Sequence, residues 1–362
     1  MAEPAPNGMM YGVFRARSND RYWLAPLSPR GATRAGLEMF QPVTSVATLA
    51  KQAALLSIGL RVDSFWARQR IRLSGLPRLN VIFCKPVAAV AYFTGTEGPH
   101  RKTAIQFMTH AGDILGYGKL TRSDEVAHYL VAEASTLDRV AQMRLKSAGI
   151  PRKLGQGVLG GATWIVTDSR RGRATRVDCS LGAAHVDFLR ELAVGTGRSG
   201  STEIVAALLD RASAQADATW SRRFLRGSAL ARAWRDGIET CFAHGDFTPW
   251  NCFIDAEGLY VFDWEYACEG YPVGFDLVRF LLAHPAQVEP REENEAVLAQ
   301  LVGVHFAGDM ARAERHYLLS LLVHAAFYQE RQLRVGAPSD RWSDADRYAR
   351  LVDAATLAEV RQ

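Results

Sequence analysis

The feature that most constrains this chain is a change of hydrophobic period along it. Between residues 79 and 168 short β-forming runs, Val81–Phe83, Val87–Phe93, Thr103–Met108 and Ile114–Leu120, precede one long helical stripe. In that stripe Val126, Leu130, Ala134, Leu137, Ala141 and Leu145 recur at helical spacing. Thr121-Arg-Ser-Asp124 matches a capping box at its start, and Gly149 with Pro151 closes it. A last β run, Trp164–Thr167, ends the zone. After 169 the period is mostly helical, with helices predicted near 183–194, 201–216, 228–240, 275–283, 292–305 and 309–332. One hairpin interrupts them: Cys252–Ile254, a turn at Asp255-Ala-Glu-Gly258, then Leu259–Phe262. Strands segregated from helices give an α+β class and two lobes. The predicted division is a small lobe over 79–168, a large helical lobe over 169–362, and an N-terminal extension over 1–78. The extension holds one helical stretch around Val46–Leu60 and no recognisable chemistry.

Composition excludes several function classes. At 362 residues, 48% hydrophobic and 22% charged, the chain is globular and long enough for two domains. A net charge of +5 suits anionic ligands such as a nucleotide, but no dense basic run points to nucleic acid. Arg170, Arg171, Arg173 and Arg176 lie among Ser, Gly and Thr and read as a solvated loop. Five scattered cysteines lack the spacing of a zinc site or a disulfide framework, as in a reducing cytoplasm. The longest apolar run, Val87–Phe93, is too short for a bilayer, and the start has no signal-peptide pattern. The expectation is a soluble cytoplasmic protein with neither membrane nor nucleic acid as partner.

The chemistry is concentrated in His244-Gly-Asp246-Phe-Thr-Pro-Trp-Asn251 and, after the hairpin, Val261-Phe-Asp263-Trp-Glu265. Phosphoryl transfer asks for a group that orients the acceptor hydroxyl and for oxygen ligands that hold Mg²⁺ against the phosphates. Asp246 is the candidate for the hydroxyl proton. Asn251 follows at the D-x4-N spacing of a kinase catalytic loop, and Asp263 ends the second hairpin strand. Mg²⁺ takes few, hard oxygen ligands, which Asn251 and Asp263 supply.

This pattern resembles the aminoglycoside phosphotransferase and choline kinase superfamily, relatives of the protein kinases, which carry H-G-D-x4-N followed by a hydrophobic-D-W/F segment. The resemblance covers about residues 243–283. It implies a two-lobed protein-kinase-like fold, ATP or GTP with Mg²⁺ as cofactors, and a small-molecule hydroxyl acceptor. It also implies that His244 braces the loop and that Asp276, in Gly274-Phe-Asp-Leu-Val-Arg, caps the next helix.

A kinase further needs a strand lysine for the α- and β-phosphates and a helical carboxylate to orient it. Lys119 ends the Ile114–Leu120 strand, and Glu133 lies on the apolar stripe of the next helix, between Leu130 and Leu137. A carboxylate there is costly unless paired, and Lys119 is its natural partner. Lys85 follows a β run but has no upstream glycine turn and no helix soon after it; Lys102 is a third candidate. Gly95-Thr-Glu-Gly98 stands where a nucleotide-covering turn belongs, and departs from G-x-G-x-x-G. Ile165-Val-Thr-Asp168 is the expected connector, its backbone open to an adenine edge. No P-loop or dinucleotide fingerprint occurs.

The predicted function is transfer of a γ-phosphoryl group to a hydroxyl of a metabolite or antibiotic. The competing reading is a catalytically degenerate nucleotide-binding scaffold. H-G-D, D-W-E in place of D-F-G, and the lack of A-P-E after Glu265 weigh against a protein kinase. Glu265, Glu269, Trp250, Trp264, Tyr266 and Tyr271 serve either to receive a cationic acceptor or as packing beneath the loop.

Overall fold

The structure, a computed structural model, describes residues 8–15, 21–39, 45–60, 69–73, 81–95, 101–172, 175–200, 202–284, 286–334, 342 and 344–359. It comprises two compact units: Met1–Ala141 with Pro151–Thr175, and Gln142–Ile150 with Arg176–Gln362. The class is α+β, as expected. No helix among the described residues is long and apolar enough to cross a membrane.

The first unit is built from β1 (Met9–Arg15), β2 (Tyr22–Pro26), α1 (Arg30–Leu37), α2 (Ser45–Gly59), β3 (Gln69–Leu73), β4 (Ala89–Phe93), β5 (Thr103–Met108), β6 (Ile114–Thr121) and α3 (Asp124–Met143). After β7 (Ala148–Gly149), which belongs to the second unit, β8 (Lys153–Leu159) and β9 (Ala162–Asp168) complete it. The eight described strands form one antiparallel sheet in the order β3-β1-β2-β4-β5-β6-β9-β8. Strands β1, β2 and β3, all before residue 78, are therefore part of this sheet and not of a separate extension. The physical reason is burial: Tyr11 of β1 packs into the same core as Val90, Ile105, Phe107, Leu115, Trp164 and Val166.

Three other expectations shift here. Val81–Phe83 is irregular; Val81 and Phe83 pack against that core without joining the ladder, and Pro86 just after them has no N–H to donate. Helix α3 begins at Asp124, where the Ser123 carbonyl receives the N–H groups of Val126 and Ala127, while Thr121 still belongs to β6. Its far end precedes Arg144, which takes a left-handed φ of 54° well before Gly149. Ile165–Asp168 is no connector. It lies in β9, with Val166 paired to Gly118 on one side and Gly155 on the other, so its backbone is spent on two ladders.

The second unit contains α4 (Ala183–Thr196), β10 (Arg198–Ser199), α5 (Glu203–Gln215), α6 (Ala218–Ala233), β11 (Glu239–Ala243), β12 (Cys252–Asp255), β13 (Gly258–Val261) and β14 (Cys268–Pro272). Then follow α7 (Phe275–Leu281), α8 (Pro290–Leu301), α9 (Met310–Arg334) and α10 (Ala345–Glu359). The helix predicted over 228–240 starts earlier, because Asp217 caps it by accepting the N–H groups of Thr219 and Trp220 at 2.8 and 2.9 Å. Its second half gives way to β11, which pairs with β10 and β14, while β12 pairs with β13 and β13 with β7.

One buried contact between α9 and β11 carries a pH prediction. The N–H of Glu239 donates to His316 Nε2 at 3.0 Å, so Nδ1 carries the hydrogen and donates to the Arg312 carbonyl at 2.8 Å. Burial pushes the imidazole pKa down to about 4. A histidine depressed in the folded state contributes its full stability above the unfolded value of about 6.5 and loses it as pH falls through the folded one. The loss is on the order of 3 kcal/mol at most. The melting temperature is expected to fall between pH 6.5 and 4, and less steeply in His316→Gln. Equal slopes in both proteins exclude His316 as the source.

Candidate active site

Strand β11 runs into the loop His244–Asn251, and Gly245 makes the turn possible. Its φ is +83°, and a Cβ there would stand 2.2 Å from the Tyr266 carbonyl oxygen. Asp276 holds the loop from behind. The N–H of His244 donates to its Oδ2 at 2.6 Å and that of Gly245 to its Oδ1 at 3.0 Å. Asp276 is thus not the expected helix cap: Gly274 occupies that position, and the buried carboxylate turns to the loop because those two N–H groups satisfy it. His244 accepts the Asp246 N–H at Nδ1, at 3.3 Å, so Nε2 donates to the Phe262 carbonyl at 3.0 Å. The ring therefore links the residue pair on either side of the hairpin, Asp246 and Asp263, through backbone.

Asp246 is gripped at both carboxylate oxygens. Asn251, from the tight turn Pro249–Asn251, donates Nδ2–H to Oδ2 and to the Asp246 carbonyl, each at 2.9 Å. Arg279 of α7 approaches Oδ1 with Nε at 3.0 Å and Nη2 at 2.9 Å; the two side chains are 19% (Asp246) and 12% (Arg279) exposed. Burial pushes the Asp246 carboxyl above the ordinary range, Arg279 pulls it back, and the Asp263 and Glu265 carboxylates push it up again. The sequence reading missed Arg279. The available signal was its spacing: it lies three residues after Asp276, one helical turn along the face that addresses the loop. Arg279 Nη2 also donates to Tyr328 Oη of α9, at 3.4 Å.

Asp263 follows β13 in a left-handed conformation, φ 68°, which a non-glycine residue adopts at a cost and mainly where the surroundings impose it. The Phe262 N–H donates to the Asn251 carbonyl at 3.0 Å, fixing the two residues across the hairpin. Carboxylate oxygens of Asp263 and the buried Glu265 lie within 4.8 Å of each other. Asn251 has spent its amide N–H groups on Asp246, which leaves its Oδ1 as a ligand oxygen. An amide oxygen and two closely set carboxylates are the hard oxygen donors that Mg²⁺ takes, so the residues present fit that ion. Of the aromatics, Trp264 is core, buried against His244 and Phe242, whereas Trp250 is exposed beside His284.

In the first unit Lys119 Nζ donates to both carboxylate oxygens of Glu133 at 2.6 Å, with side chains 18% and 4% exposed. Lys119 lies in mid-sheet, opposite Ala104 of β5 and Ile165 of β9. Lys85 instead makes an exposed pair with Asp113 at 3.3 Å. Gly95 follows β4 with φ +71°, where a Cβ would meet the Lys102 carbonyl at 2.6 Å. Gly98 lies outside the described residues.

Residues 181–314 match the model of the phosphotransferase enzyme family (APH). Comparison with curated proteins gives no match. Among solved structures, a thermostable mutant of aminoglycoside phosphotransferase APH(4)-Ia is similar at 13% identity and a TM-score of 0.49, covering 78% of this chain and 96% of that one. A putative fructosamine-3-kinase from Thermobifida fusca YX-ER1 is similar at 19% identity and 0.48, over 77% and 95%. Choline kinase from Cryptosporidium parvum Iowa II is similar at 10% identity and 0.40, over 78% and 90%. Likeness at this level says nothing about substrate. The match to the phosphotransferase enzyme family spans Asp246, Asn251, Asp263, Asp276 and Arg279.

Proposed function

We propose that the chain is a small-molecule kinase that moves the γ-phosphoryl group of ATP or GTP to a hydroxyl of a metabolite or antibiotic. The observation that carries this reading is how the two oxygens of Asp246 are engaged. Oδ1 accepts the Arg279 Nε–H and is paired with Nη2 of the same guanidinium at 2.9 Å, whereas Oδ2 accepts one N–H, from Asn251, and has a lone pair to offer an acceptor hydroxyl. In the transfer that hydroxyl oxygen bonds to the γ-phosphorus, the bond from phosphorus to the bridging oxygen breaks, and the proton passes to Asp246. Asn251 Oδ1 and Asp263 would hold Mg²⁺, which supplies charge neutralisation on the phosphates. Lys119, oriented by Glu133, meets the α- and β-phosphates, and the turn at Gly95 covers the nucleotide. The first unit is the nucleotide-binding lobe on this reading, the second the acceptor lobe.

Nucleotide consumption measured against a panel of hydroxylated metabolites and antibiotics tests the reading; a panel without any acceptor-dependent consumption opposes it. Asp263→Ala is expected to weaken nucleotide binding about tenfold or more in Mg²⁺ and to change it little without the metal, as losing one charged ligand implies. Calorimetric titration with and without Mg²⁺ decides. Equal affinity of Asp263→Ala and the parent for the metal–nucleotide complex places the metal elsewhere.

A further inference from the structure

We propose that Tyr328 is a positioning residue for the base: its hydroxyl holds the Arg279 guanidinium on Oδ1 of Asp246 and so leaves Oδ2 open to the acceptor. The inference rests on the reading of Asp246 as the acceptor's base. A guanidinium beside a carboxylate favours a fork, in which two parallel N–H groups meet both oxygens. At Asp246 that fork would close Oδ2, the oxygen the acceptor hydroxyl needs. The arrangement found is different. Nε and Nη2 of Arg279 both address Oδ1, at 3.0 and 2.9 Å, while Oδ2 receives Asn251 Nδ2 at 2.9 Å. Nη2 also donates to Tyr328 Oη, at 3.4 Å. The guanidinium is rigid and planar. With Nε set on Oδ1 and Nη2 tied to α9, it is kept from pivoting toward Oδ2.

The Tyr328 ring is placed by its neighbours and not by its hydroxyl. It stacks on Trp342, with centroids 5.3 Å apart and planes 8° apart, and lies 4.7 Å from His324, one turn earlier on α9. Trp342 is buried and packs in turn against Tyr348 of α10, at 5.1 Å. Removing Oη alone therefore leaves this packing in place and takes away the hold on Arg279. Burial pushes the Tyr328 hydroxyl pKa above its ordinary value, against the pull of Arg279, so the guanidinium meets a neutral phenol. A neutral partner orients Arg279 without competing with Asp246 for its charge. Helix α9 thus acts on the base through two printed steps of contact, phenol to guanidinium and guanidinium to carboxylate.

The test is a double-mutant cycle on initial rates of ATP and GTP consumption in Mg²⁺, with the most active acceptor of the panel and with water alone. Tyr328→Phe is expected to lower kcat about tenfold or more, as loss of a hydrogen bond to a charged group implies, with KM for the nucleotide within about a factor of two. Its melting temperature should stay close to the parent's, because the ring remains. Arg279→Met is expected to lower kcat further. In Arg279→Met/Tyr328→Phe the second change should add nothing, since Tyr328 acts only through the guanidinium. A side chain that merely supported the fold would multiply the two losses instead. Rates are taken well below the lowest melting temperature of the set, so the cycle decides whatever the stability of each variant. Unchanged kcat in Tyr328→Phe, a rise in acceptor KM alone, or multiplied losses in the double variant overturns the proposal. If Asp246→Asn abolishes consumption while Tyr328→Phe leaves it intact, the kinase reading stands and this inference falls. If Asp246→Asn leaves consumption unchanged, or the parent consumes no nucleotide with any acceptor, the base assignment falls and takes the inference with it.

Discussion

Asp246→Asn is expected to lower turnover on the order of a thousandfold while nucleotide affinity stays within about a factor of two, the range ascribed to loss of a positioned general base. The substitution keeps the volume of the side chain and removes its charge and one acceptor oxygen. An amide cannot satisfy Arg279 at one end and the Asn251 N–H at the other and still receive a hydroxyl proton, because only one of its two polar atoms accepts. It also strands a largely buried guanidinium, so some destabilisation is expected alongside, about 1–3 kcal/mol. That side effect is separable. In Asp246→Asn/Arg279→Met the cation is gone, and the melting temperature should return toward the parent while turnover stays low. Calorimetry and phosphoryl transfer on one preparation check both parts, and unchanged turnover removes Asp246 from the role of base.

The candidate loop was legible because its residues are contiguous. His244, Asp246, Asn251 and Asp263 fall within twenty residues, and the hydrogen bonds His244–Phe262 and Asn251–Asp246 span eighteen and five positions. The Lys119–Glu133 pair was legible for a different reason. A carboxylate on the apolar stripe of a helix needs a cation, and the strand just before it ended in one. What failed were statements that depend on distant partners. Arg279 reaches Asp246 across 33 positions and Tyr328 across 49, and neither separation leaves a trace in local periodicity. Strand β1 joins β3 through Tyr11 opposite Ile71, so a stretch with no chemistry of its own became sheet. Asp276 shows the same limit, across 32 and 31 positions. Its place after a glycine at a helix start suggested a cap, but burial made the carboxylate seek N–H donors, and two from the loop were nearer.

Lys119→Met is expected to cost turnover by two orders of magnitude or more, about the worth of a fixed cation on transferring phosphates. The argument begins with Glu133. It is 4% exposed on the buried face of α3, among Leu130, Ala134 and Leu137, and Lys119 meets both its oxygens at 2.6 Å. Such a pair is weak evidence for stability, since two apolar residues could fill the space as well. On the proposed reading the pair holds the lysine for the phosphates. Removing Lys119 leaves a buried carboxylate without its cation, which costs about 3–5 kcal/mol unless the group takes up a proton. Lys119→Met should therefore also lower the melting temperature. Glu133→Gln keeps a hydrogen-bond acceptor for Lys119 and leaves the cation in place with a freer geometry, so its turnover loss should be smaller. Combining the two removes the uncompensated charge: the double variant should be more stable than Lys119→Met alone and no slower, far from the sum of the single effects. Lys85→Met supplies the control, because its pair with Asp113 is exposed at 3.3 Å and contributes little. A crippling Lys85→Met beside a tolerated Lys119→Met would move the phosphate-binding lysine to the segment before β4 and take the covering role from the turn at Gly95.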